Sequence, residues 1–408
     1  MSEAGIVIAG GGHAGGSAAA FLRQYGWKGP ITLVGAEPIL PYQRPPLSKA
    51  WLKGEATAES LALRPARFYT QQNITARLGE RVTGIDRAAQ RVILSGGGTL
   101  GYHRLILALG ARPRPLPVPG ADLPDVLVLR SAADADALQA ALKPGRRLAV
   151  IGGGYIGLEV AASARALGAE VTVIEREPRV LARVAGQNIS AFLQDHHRAQ
   201  GVGILLGAAV EAILGDAAGV SGVQLRDGTV VPCDAALIGI GAVPEEGLAR
   251  DAGLACGNGI TVDLAARTED PAIYAIGDCA FRPLPLYGRS MRLESVPNAI
   301  EQAKQAAADI CGRAPPIPEV PWFWSDQFAL RLQMAGLAFS PAQAVVRPAA
   351  EGEGFAVFHL AADDSVLAVE AVNAPAEFMA GRLLVAKQQR VPAALLRDAA
   401  QPLRELTG

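Results

Sequence analysis

Short apolar runs alternate with helical stretches through the first three quarters of this chain. Three of the runs read as buried strands: Ile6–Ala9, Ile31–Val34 and Arg104–Gly110. An Ala-rich stretch at Ser17–Gln24 predicts a helix between the first two strands. A second series begins near Arg146 and closes on the apolar run Ala235–Gly241. The pattern predicts α/β architecture, with parallel sheets covered by helices and an internal repeat at the scale of a domain.

The last quarter follows a different pattern. A strand is predicted at Ile273–Ile276 and a helix from about Pro297, and the prolines of Pro315–Pro321 mark a boundary. Beyond it, the apolar stretches Phe355–Leu360 and Val366–Val372, interpreted as alternating strands, predict an antiparallel sheet with a terminal helix. A chain of 408 residues exceeds one hydrophobic core, so two or three domains are expected.

A glycine fingerprint of the same type follows the first strand of each series. Both read G-x-G-x-x-G, with Gly10, Gly12 and Gly15 in the first copy and Gly152, Gly154 and Gly157 in the second. A strand, a tight turn and a helix start bring backbone N–H groups and a helix dipole onto a pyrophosphate. Two copies predict that two dinucleotides meet, and the natural reason is to pass a hydride from nicotinamide to flavin.

Acidic residues stand at the ends of the next strands. Glu37 follows Ile31–Val34, and Glu175 follows the run Val171–Ile174. A carboxylate there accepts hydrogen bonds from ribose hydroxyls and repels a 2′-phosphate. The second site is therefore expected to favour NADH over NADPH, although Arg176 and Arg183 nearby would suit a phosphate.

Composition excludes several other classes of protein. Only 19% of the residues are charged and the formal net charge is −1, which argues against disorder and against a general nucleic-acid binder. No apolar run approaches the length of a membrane span, and the glycine-rich start lacks the basic leader of a secretion signal. Four cysteines, widely spaced in sequence, form neither a C-x-x-C motif nor a metal-ligand pattern, so a reducing cytoplasm is expected.

Three further motifs bear on cofactor binding, and the first two each allow two interpretations. In the loop Tyr42–Lys49, Arg44 could neutralise a pyrophosphate and Lys49 could reach a flavin; the alternative is a rigid surface loop. Asp278 could bind a ribityl hydroxyl or cap a helix. The segment Glu294–Glu301 reads as a helix start whose dipole would point at an electron-rich group such as a flavin carbonyl edge.

The order of these motifs, with Arg44–Lys49, Gly110–Arg114, Tyr274–Cys279, Glu294–Ala299 and Pro321–Gln327, resembles FAD-dependent NADH:ferredoxin reductases of the putidaredoxin reductase type. The resemblance covers nearly the whole chain. It implies a glutathione-reductase-like fold: two Rossmann-like dinucleotide-binding domains and a C-terminal α+β interface domain. The implied boundaries are 1–113 with 243–315 for FAD, 114–242 for NAD and 316–408 for the interface domain.

The same resemblance implies roles for individual residues. Lys49 and Glu159 would form a catalytic pair near the flavin, and no residue would bind a metal. The residues implied for FAD are Gly10, Gly12, Ala14, Gly15, Glu37, Arg44, Lys49, Val82, Arg130, Asp278, Val296 and Trp324. Those implied for NADH are Gly152, Gly154, Ile156, Gly157, Glu159 and Glu175.

Two positions depart from the family pattern. Ala36 stands where an acidic residue usually follows the second strand, so Glu37 must carry the adenosine ribose or that contact is lost. Leu109 replaces a threonine and removes a hydroxyl near the flavin, with FAD binding expected to survive both changes.

The resemblance implies that NADH reduces FAD and that single electrons pass to a [2Fe–2S] ferredoxin, which serves a cytochrome P450 or a Rieske-type oxygenase. No acid–base residue is required, and His196 and His197 are interpreted as solvent-facing helix residues. A disulfide reductase would need a cysteine pair where Pro46–Lys49 stands, and an NADH oxidase or peroxidase of the single-cysteine type would need a thiol near Leu47. An NADH-sensing binding protein, like apoptosis-inducing factor, remains an alternative.

Partner docking is expected to be small and transient, with the chain a monomer or a weak dimer. Ferredoxins are generally acidic, so a local basic rim should steer them. The candidates for that rim are Arg64, Arg67, Arg289, Arg292 and Arg313.

Overall fold

The computed structural model describes residues 5–407, which form two compact units. The first unit contains residues 5–44, 57–112 and 243–321. The second contains residues 45–56, 113–242 and 322–407. Two short strands, Ala111–Pro113 and Ala242–Pro244, stand where the chain passes from one unit to the other. Among the described residues, no helix is both long and apolar enough to cross a membrane.

The first unit is built on a largely parallel sheet. Its central strand, Gly5–Ala9, pairs in parallel with Ile31–Gly35 on one side and Thr99–Leu107 on the other. All five residues of the central strand are buried, as expected for a strand covered on both faces. The remaining strands of this sheet are Ile74–Leu78, Ile273–Ala275, Arg91–Leu94 and Val82–Asp86, the last two joined antiparallel.

Two helices cover one face of this sheet. His13–Gln24 follows the central strand, and Val296–Ile310 packs beside it in the same apolar cluster. Buried alanines, including Ala18 and Ala303, line the contact and allow the two helices to approach closely. The unit is completed by the helices Ala58–Leu61, Ala66–Gln71 and Gly247–Asp251, the 3₁₀ turns Gly277–Cys279 and Pro285–Tyr287, and the strands Ile260–Thr261, Ala280–Leu284 and Arg289–Met291.

The second unit repeats the arrangement around Arg147–Ile151. This strand lies between Glu170–Ile174 and Ala235–Ile238, all in parallel. The sheet also contains Val202–Leu205 and Val126–Leu127, and its helices are Ala132–Ala141, Tyr155–Ala166 and Gln187–Ala199. An antiparallel meander follows it, with the strands Val210–Asp216, Gly219–Leu225 and Val230–Pro232.

An antiparallel five-stranded sheet also belongs to the second unit. Its strands, in spatial order, are Trp322–Gln327, Leu330–Gly336, Val366–Val372, Phe355–Leu360 and Gln343–Pro348. Helices Pro375–Ala386 and Ala393–Arg397 follow, and 3₁₀ turns occur at Pro45–Ser48 and Leu403–Leu406. The predicted antiparallel sheet is confirmed, although Phe355–Leu360 and Val366–Val372 are buried along nearly their whole length and do not alternate.

The predicted internal repeat is also confirmed, down to single hydrogen bonds. The N–H of Gly10 donates to Val34 O at 2.8 Å, and the N–H of Gly152 donates to Ile174 O at 2.9 Å. Each fingerprint therefore begins at the same point relative to the neighbouring strand. The run of strand, loop, helix and strand is the same structural unit in both copies.

The interpretation of His197 as solvent-facing is wrong. Its side chain is fully buried between the helix Gln187–Ala199 and the strand Trp322–Gln327, where Nε2 lies 2.8 Å from Gln327 Oε1. Its ring also meets Phe328 edge-on. His196, its neighbour, is half-buried. Burial lowers the pKa of His197 to about 4, so the ring is neutral at neutral pH.

This burial predicts a pH-dependent stability. The unfolded chain binds a proton at His197 near pH 6.5, whereas the folded chain does so near pH 4. Between these values the unfolded state holds more protons, so the free energy of unfolding should fall by about 3 kcal/mol as pH drops from 6.5 to 4. Urea unfolding at several pH values measures this loss. His197→Gln should flatten the slope in that window; an unchanged slope would assign the loss to other groups.

Candidate functional site

The first glycine loop, Gly10–Gly15, has one open side. Gly10 has φ of +124°, and a Cβ there would lie 2.1 Å from Ala108 O. A Cβ on Gly15 would lie 2.0 Å from Gly10 O. On Gly12, by contrast, the nearest atom among the described residues, its chain neighbours apart, would be Arg44 Nε, at 3.8 Å. Two glycines thus permit the turn and the close helix, and the third faces space that a ligand can fill.

The second glycine loop, Gly152–Gly157, repeats this pattern. A Cβ would collide with Gly239 O at Gly152, at 2.5 Å, and with Gly152 O at Gly157, at 2.2 Å. At Gly154 the nearest atom would be Gly239 O, 4.0 Å away. Ile156, in the first turn of the following helix, exposes 48% of its surface. An exposed apolar residue at that position suits contact with a bound ligand.

Both loops lead into helices whose first N–H groups have no side-chain cap. Gly12 and Gly154 occupy the N-cap positions of the helices His13–Gln24 and Tyr155–Ala166, each of 12 residues. Neither can supply the side-chain oxygen that usually satisfies those donors. The uncapped helix start and the helix dipole favour an anion, so each loop fits the pyrophosphate of a dinucleotide.

The two carboxylates predicted to bind ribose have different surroundings. Glu175 accepts hydrogen bonds from the N–H of Gly153 at 2.7 Å and the N–H of Glu177 at 2.8 Å. Glu37 instead pairs with Arg44 Nη2 at 2.6 Å and accepts from the Tyr42 hydroxyl at 2.6 Å. Glu175 therefore orients its own glycine loop, whereas Glu37 orients a cationic side chain.

The repeat shows that these carboxylates are not equivalent in position. Glu37 O accepts from the N–H of Gly79, as Glu177 O accepts from the N–H of Gly207. Likewise Gly35 O accepts from Glu80 and Glu175 O accepts from Ala208. Glu37 thus corresponds to Glu177, and the position of Glu175 is occupied in the first unit by Gly35. Their similar spacing in the sequence hid a shift of two residues.

Arg44 joins the first glycine loop to Glu37. Its side chain reaches within 3.8 Å of the Cβ position on Gly12, and its guanidinium carbon lies 5.2 Å from the centre of the Tyr42 ring. The alternative of a rigid surface loop with solvated charges does not describe this residue, because the arginine is about four-fifths buried. It places a positive charge at the open face of the loop.

Asp278 and Val296 lie on segments joined by a buried amide that the sequence did not single out. Gln302 Oε1 accepts from the N–H of Gly277 at 2.8 Å and from Asn298 Nδ2 at 3.2 Å. Gln302 is fully buried and holds the 3₁₀ turn of Asp278 against the helix that starts at Val296. Gly277, with φ of +77°, comes close enough to Ala14 for a Cβ to lie 3.0 Å away.

A buried arginine anchors the same helix. Arg282, only 2% exposed, donates to both carboxylate oxygens of Glu301 at 3.1 and 3.2 Å and to Asn298 Oδ1 at 3.1 Å. Ser295 caps the helix by accepting from the N–H of Asn298 at 3.2 Å. A helix start with proline in its first turn is confirmed. The sequence analysis did not identify Arg282, because a single buried arginine does not alter the apolar periodicity of a segment.

Lys49 and Glu159 form a close ion pair in the second unit. Lys49 Nζ lies 2.7 Å from Glu159 Oε2, and the Ser48 hydroxyl donates to the same oxygen at 2.5 Å. Glu159 is 5% exposed. The Ser163 hydroxyl donates to Ser48 O at 2.7 Å, which fixes the backbone beside the lysine. A buried carboxylate needs such partners, because an unpaired charge in the interior is costly.

The remaining predicted residues lie on separate elements. Trp324, half-buried on the strand Trp322–Gln327, has its ring centre 5.6 Å from that of Trp322. Trp322 is also half-buried, and the Arg382 guanidinium carbon lies 5.5 Å from the centre of its ring. Arg130 precedes the helix Ala132–Ala141, and its N–H donates to Asp134 at 3.0 Å. Val82 begins the strand Val82–Asp86.

One candidate for a basic docking rim does not fit that role. The Arg292 side chain is only 10% exposed, and it pairs with Glu294 and donates to Asp278 O at 3.3 Å. It supports the Asp278 turn and adds little to the surface charge. Arg313 donates to Tyr25 O at 3.0 and 3.1 Å. Arg64 donates to Leu63 O at 2.7 Å.

The cysteines are not arranged for thiol chemistry. All four lie within the described residues and are unpaired. Burial raises the pKa of Cys279 and of Cys233 to about 11, which keeps both thiols protonated and unreactive. Leu47 and Ser48 are both buried beside Lys49. The absence of a cysteine pair at this place argues against a disulfide reductase.

Two family models match the chain. The model described as pyridine nucleotide-disulphide oxidoreductase matches residues 4–303, and the one described as reductase C-terminal matches residues 322–407. The chain is 48% identical to the probable ferredoxin reductase CtmF of Castellaniella defragrans over 94% of both chains. It is 45% identical to putidaredoxin reductase CamA of Pseudomonas putida, with 98% of this chain and 96% of that protein covered.

Solved structures agree with these relatives. The reductase in a covalent putidaredoxin reductase–putidaredoxin complex matches with a TM-score of 0.95 and 44% identity, covering 100% of this chain and 98% of that one. The ferredoxin reductase for the CYP199A2 system of Rhodopseudomonas palustris also matches at 0.95, with 40% identity and 99% of each chain covered. The chain therefore belongs to the putidaredoxin reductase-like ferredoxin reductases of the pyridine nucleotide-disulphide oxidoreductase family.

Proposed function

We propose that this chain transfers electrons from NADH, through bound FAD, to a [2Fe–2S] ferredoxin that serves a cytochrome P450 or a Rieske-type oxygenase. The observation that carries this function is the pair of uncapped glycine loops, one in each unit, in a chain without a cysteine pair. FAD, when bound, supplies the conversion between a two-electron donor and a one-electron acceptor. The chain supplies binding, orientation and charge.

The first loop is proposed to hold FAD and the second to hold NADH. Arg44 brings a guanidinium to the open face of Gly12, which suits a pyrophosphate that stays bound. At Gly154 a carbonyl oxygen is the only described atom within 4 Å of where a Cβ would stand, which suits a cofactor that must leave after each reaction. These roles match the proposed domains, 1–113 with 243–315 for FAD and 114–242 for NAD, followed by 316–408 as the interface domain.

The other predicted residues keep their proposed roles. Gly10, Ala14, Gly15, Glu37, Val82, Arg130, Asp278, Val296 and Trp324 would complete the FAD site, and Gly152, Ile156, Gly157 and Glu175 the NADH site. Lys49 would hold its ammonium near the flavin, oriented by Glu159 at 2.7 Å. Binding in this orientation lets the chain act without an acid–base residue.

The cellular setting is proposed from the same features. Four unpaired thiols suit a reducing cytoplasm. A monomer or weak dimer suits a transient encounter with ferredoxin, and membrane and nucleic-acid partners are not expected.

Anaerobic stopped-flow mixing tests the function directly. The purified holoprotein is mixed with NADH and then with an oxidised [2Fe–2S] ferredoxin, while flavin and iron–sulfur absorbance are followed. Rapid flavin bleaching followed by many turnovers of ferredoxin reduction is the expected result. Bleaching that stalls with every ferredoxin tried would favour an NADH-sensing binding protein, and no bleaching would contradict the NADH assignment.

Alanine at the open glycines should separate the two cofactors. Gly12 and Gly154 have extended backbone, φ of −84° and −80°, that alanine adopts without strain. Apart from the chain neighbours, a Cβ there would meet no atom of residues 5–407 closer than 3.8 Å. Gly12→Ala should fold normally but retain at least tenfold less FAD, because the methyl group blocks the pyrophosphate. Flavin absorbance per protein, with a thermal melt of the apoprotein, measures this.

Gly154→Ala is the matched control for that experiment. It should keep a full complement of FAD and raise KM for NADH by roughly tenfold. Loss of FAD from both variants, or from neither, would contradict the assignment of one loop to each cofactor.

Glu175→Gln should weaken the preference for NADH. The carboxylate holds the Gly153 N–H at 2.7 Å and would repel a 2′-phosphate, so its neutral form should raise KM for NADH roughly tenfold and narrow the ratio of kcat/KM between NADH and NADPH. Steady-state kinetics with both nucleotides provides the measurement. Glu177→Gln, which removes a carboxylate that is 38% exposed and paired with Arg176, should leave the ratio within about twofold.

A further inference from the structure

A chain of buried hydrogen bonds leads from the helix Gln187–Ala199 to the Lys49–Glu159 pair. This buried donor chain consists, in order, of His197, Gln327, Ser325 and Glu159, and it ends at Lys49. Every step lies within the second unit. The first four residues are each 5% exposed or less. Buried polar groups arranged in series are costly unless each has a partner, so the arrangement requires a reason.

The donors all point in one direction. His197 Nε2 faces Gln327 Oε1 at 2.8 Å, so that nitrogen carries the proton. Gln327 Nε2 then donates to Ser325 Oγ at 3.1 Å. Because Ser325 Oγ already accepts from Gln327, its single hydrogen goes to Glu159 Oε1, 2.6 Å away. The buried donor chain therefore orients the Ser325 hydroxyl toward one oxygen of the Glu159 carboxylate.

The two oxygens of Glu159 consequently have different tasks. Oε1 is occupied by Ser325, and Oε2 is left for Ser48 at 2.5 Å and Lys49 at 2.7 Å. A carboxylate held at both ends cannot rotate about its last bond. Its orientation, together with Pro45 O, which accepts from Lys49 Nζ at 3.2 Å, then sets where the lysine ammonium lies.

The first residue of the buried donor chain, His197, has a ring nitrogen without a hydrogen-bond partner. His197 Nδ1 is buried and has no hydrogen-bond partner among the described residues. An orphaned buried acceptor costs stability, and an apolar side chain in its place would avoid that cost. We therefore attribute the presence of a histidine to Nε2, which holds the Gln327 amide in the orientation that Ser325 requires.

We propose that Ser325 and Gln327 are positioning residues for electron transfer, which act by fixing the Glu159 carboxylate and, through it, the Lys49 ammonium. This inference rests on the proposed role of Lys49 beside the flavin. His197 supports the pair from behind. None of the three is placed at the reacting atoms, and their effect passes entirely through Glu159.

Reactivity of Lys49 tests the geometry without any turnover. The holoenzyme is labelled with trace acetic anhydride, and labelling at Lys49 is compared by mass spectrometry with Lys53, which pairs with Glu55 at 2.7 Å outside the donor chain. Ser325→Ala and Gln327→Met should raise labelling of Lys49 relative to Lys53 by roughly threefold or more, because the released carboxylate leaves the ammonium free more often.

Two variants control for folding and packing. Ser190→Ala removes an equally buried hydroxyl of the same unit that donates to Val180 O and does not touch Glu159. It should leave labelling of Lys49 unchanged. Ser325→Thr keeps the hydroxyl and should restore most of the protection lost in Ser325→Ala.

Flavin reduction by NADH tests the consequence. Ser325→Ala should lower the rate constant roughly tenfold, with little change in the NADH concentration that gives half the maximal rate. If Ser325 acts only through Glu159, the same substitution in a Glu159→Gln background should change the rate less than about twofold. Additive losses in the double variant would overturn the proposal.

The outcomes separate this inference from the proposed function. If the wild-type flavin is not reduced by NADH, the proposed function fails, and the labelling still decides whether Ser325 and Gln327 position Lys49. If the wild type is reduced rapidly and Ser325→Ala matches Ser190→Ala in both labelling and rate, the inference is wrong and the proposed function stands.

Discussion

Both parallel sheets, one in each unit, depend on the close approach of a helix to the end of the first strand. At Gly15 and Gly157 a Cβ would lie 2.0 and 2.2 Å from the carbonyl oxygen of the first glycine in the same loop. Only glycine lets the helix begin there, directly after the first strand. Once the helix is so placed, its first turn has no capping side chain and faces open space at the middle glycine, which creates an anion site twice in one chain.

The repeated geometry carries different charge in the two copies. In the first, the Arg44 guanidinium is held at the open glycine by Glu37 and Tyr42, so a positive charge is built in before any ligand arrives. In the second, a carboxylate, Glu175, holds the loop through the Gly153 N–H. Such a difference fits one resident and one exchangeable dinucleotide, which is what a carrier of electrons between two partners needs.

Within the second unit, a buried hydrogen-bond network joins the antiparallel sheet to the parallel sheet. Ser325 and Gln327 come from an antiparallel strand, Glu159 from a Rossmann helix and Lys49 from a proline-bounded turn, and they meet in one buried network. The order of the network follows from two atoms: Gln327 Oε1 faces His197, so Nε2 is the atom that donates to Ser325, and the single hydrogen of Ser325 then goes to Glu159. Polar groups of this kind cost stability but impose a single arrangement.

The α/β class, the repeat, the antiparallel end and both glycine loops could be predicted from the amino-acid sequence, because apolar periodicity and glycine spacing are local signals. It also placed the Lys49–Glu159 pair, although only through resemblance. It misjudged His197, whose place in a polar helix hid a buried ring, and it equated Glu37 with Glu175, which differ by two positions in the structural repeat. The tertiary structure alone decided the partners of Gln302, Arg282, Ser325 and Gln327. Hydrogen bonds between residues more than a hundred positions apart, such as Ser325 with Glu159, leave no periodic trace in a chain, so folding had to bring them together before their role could be seen.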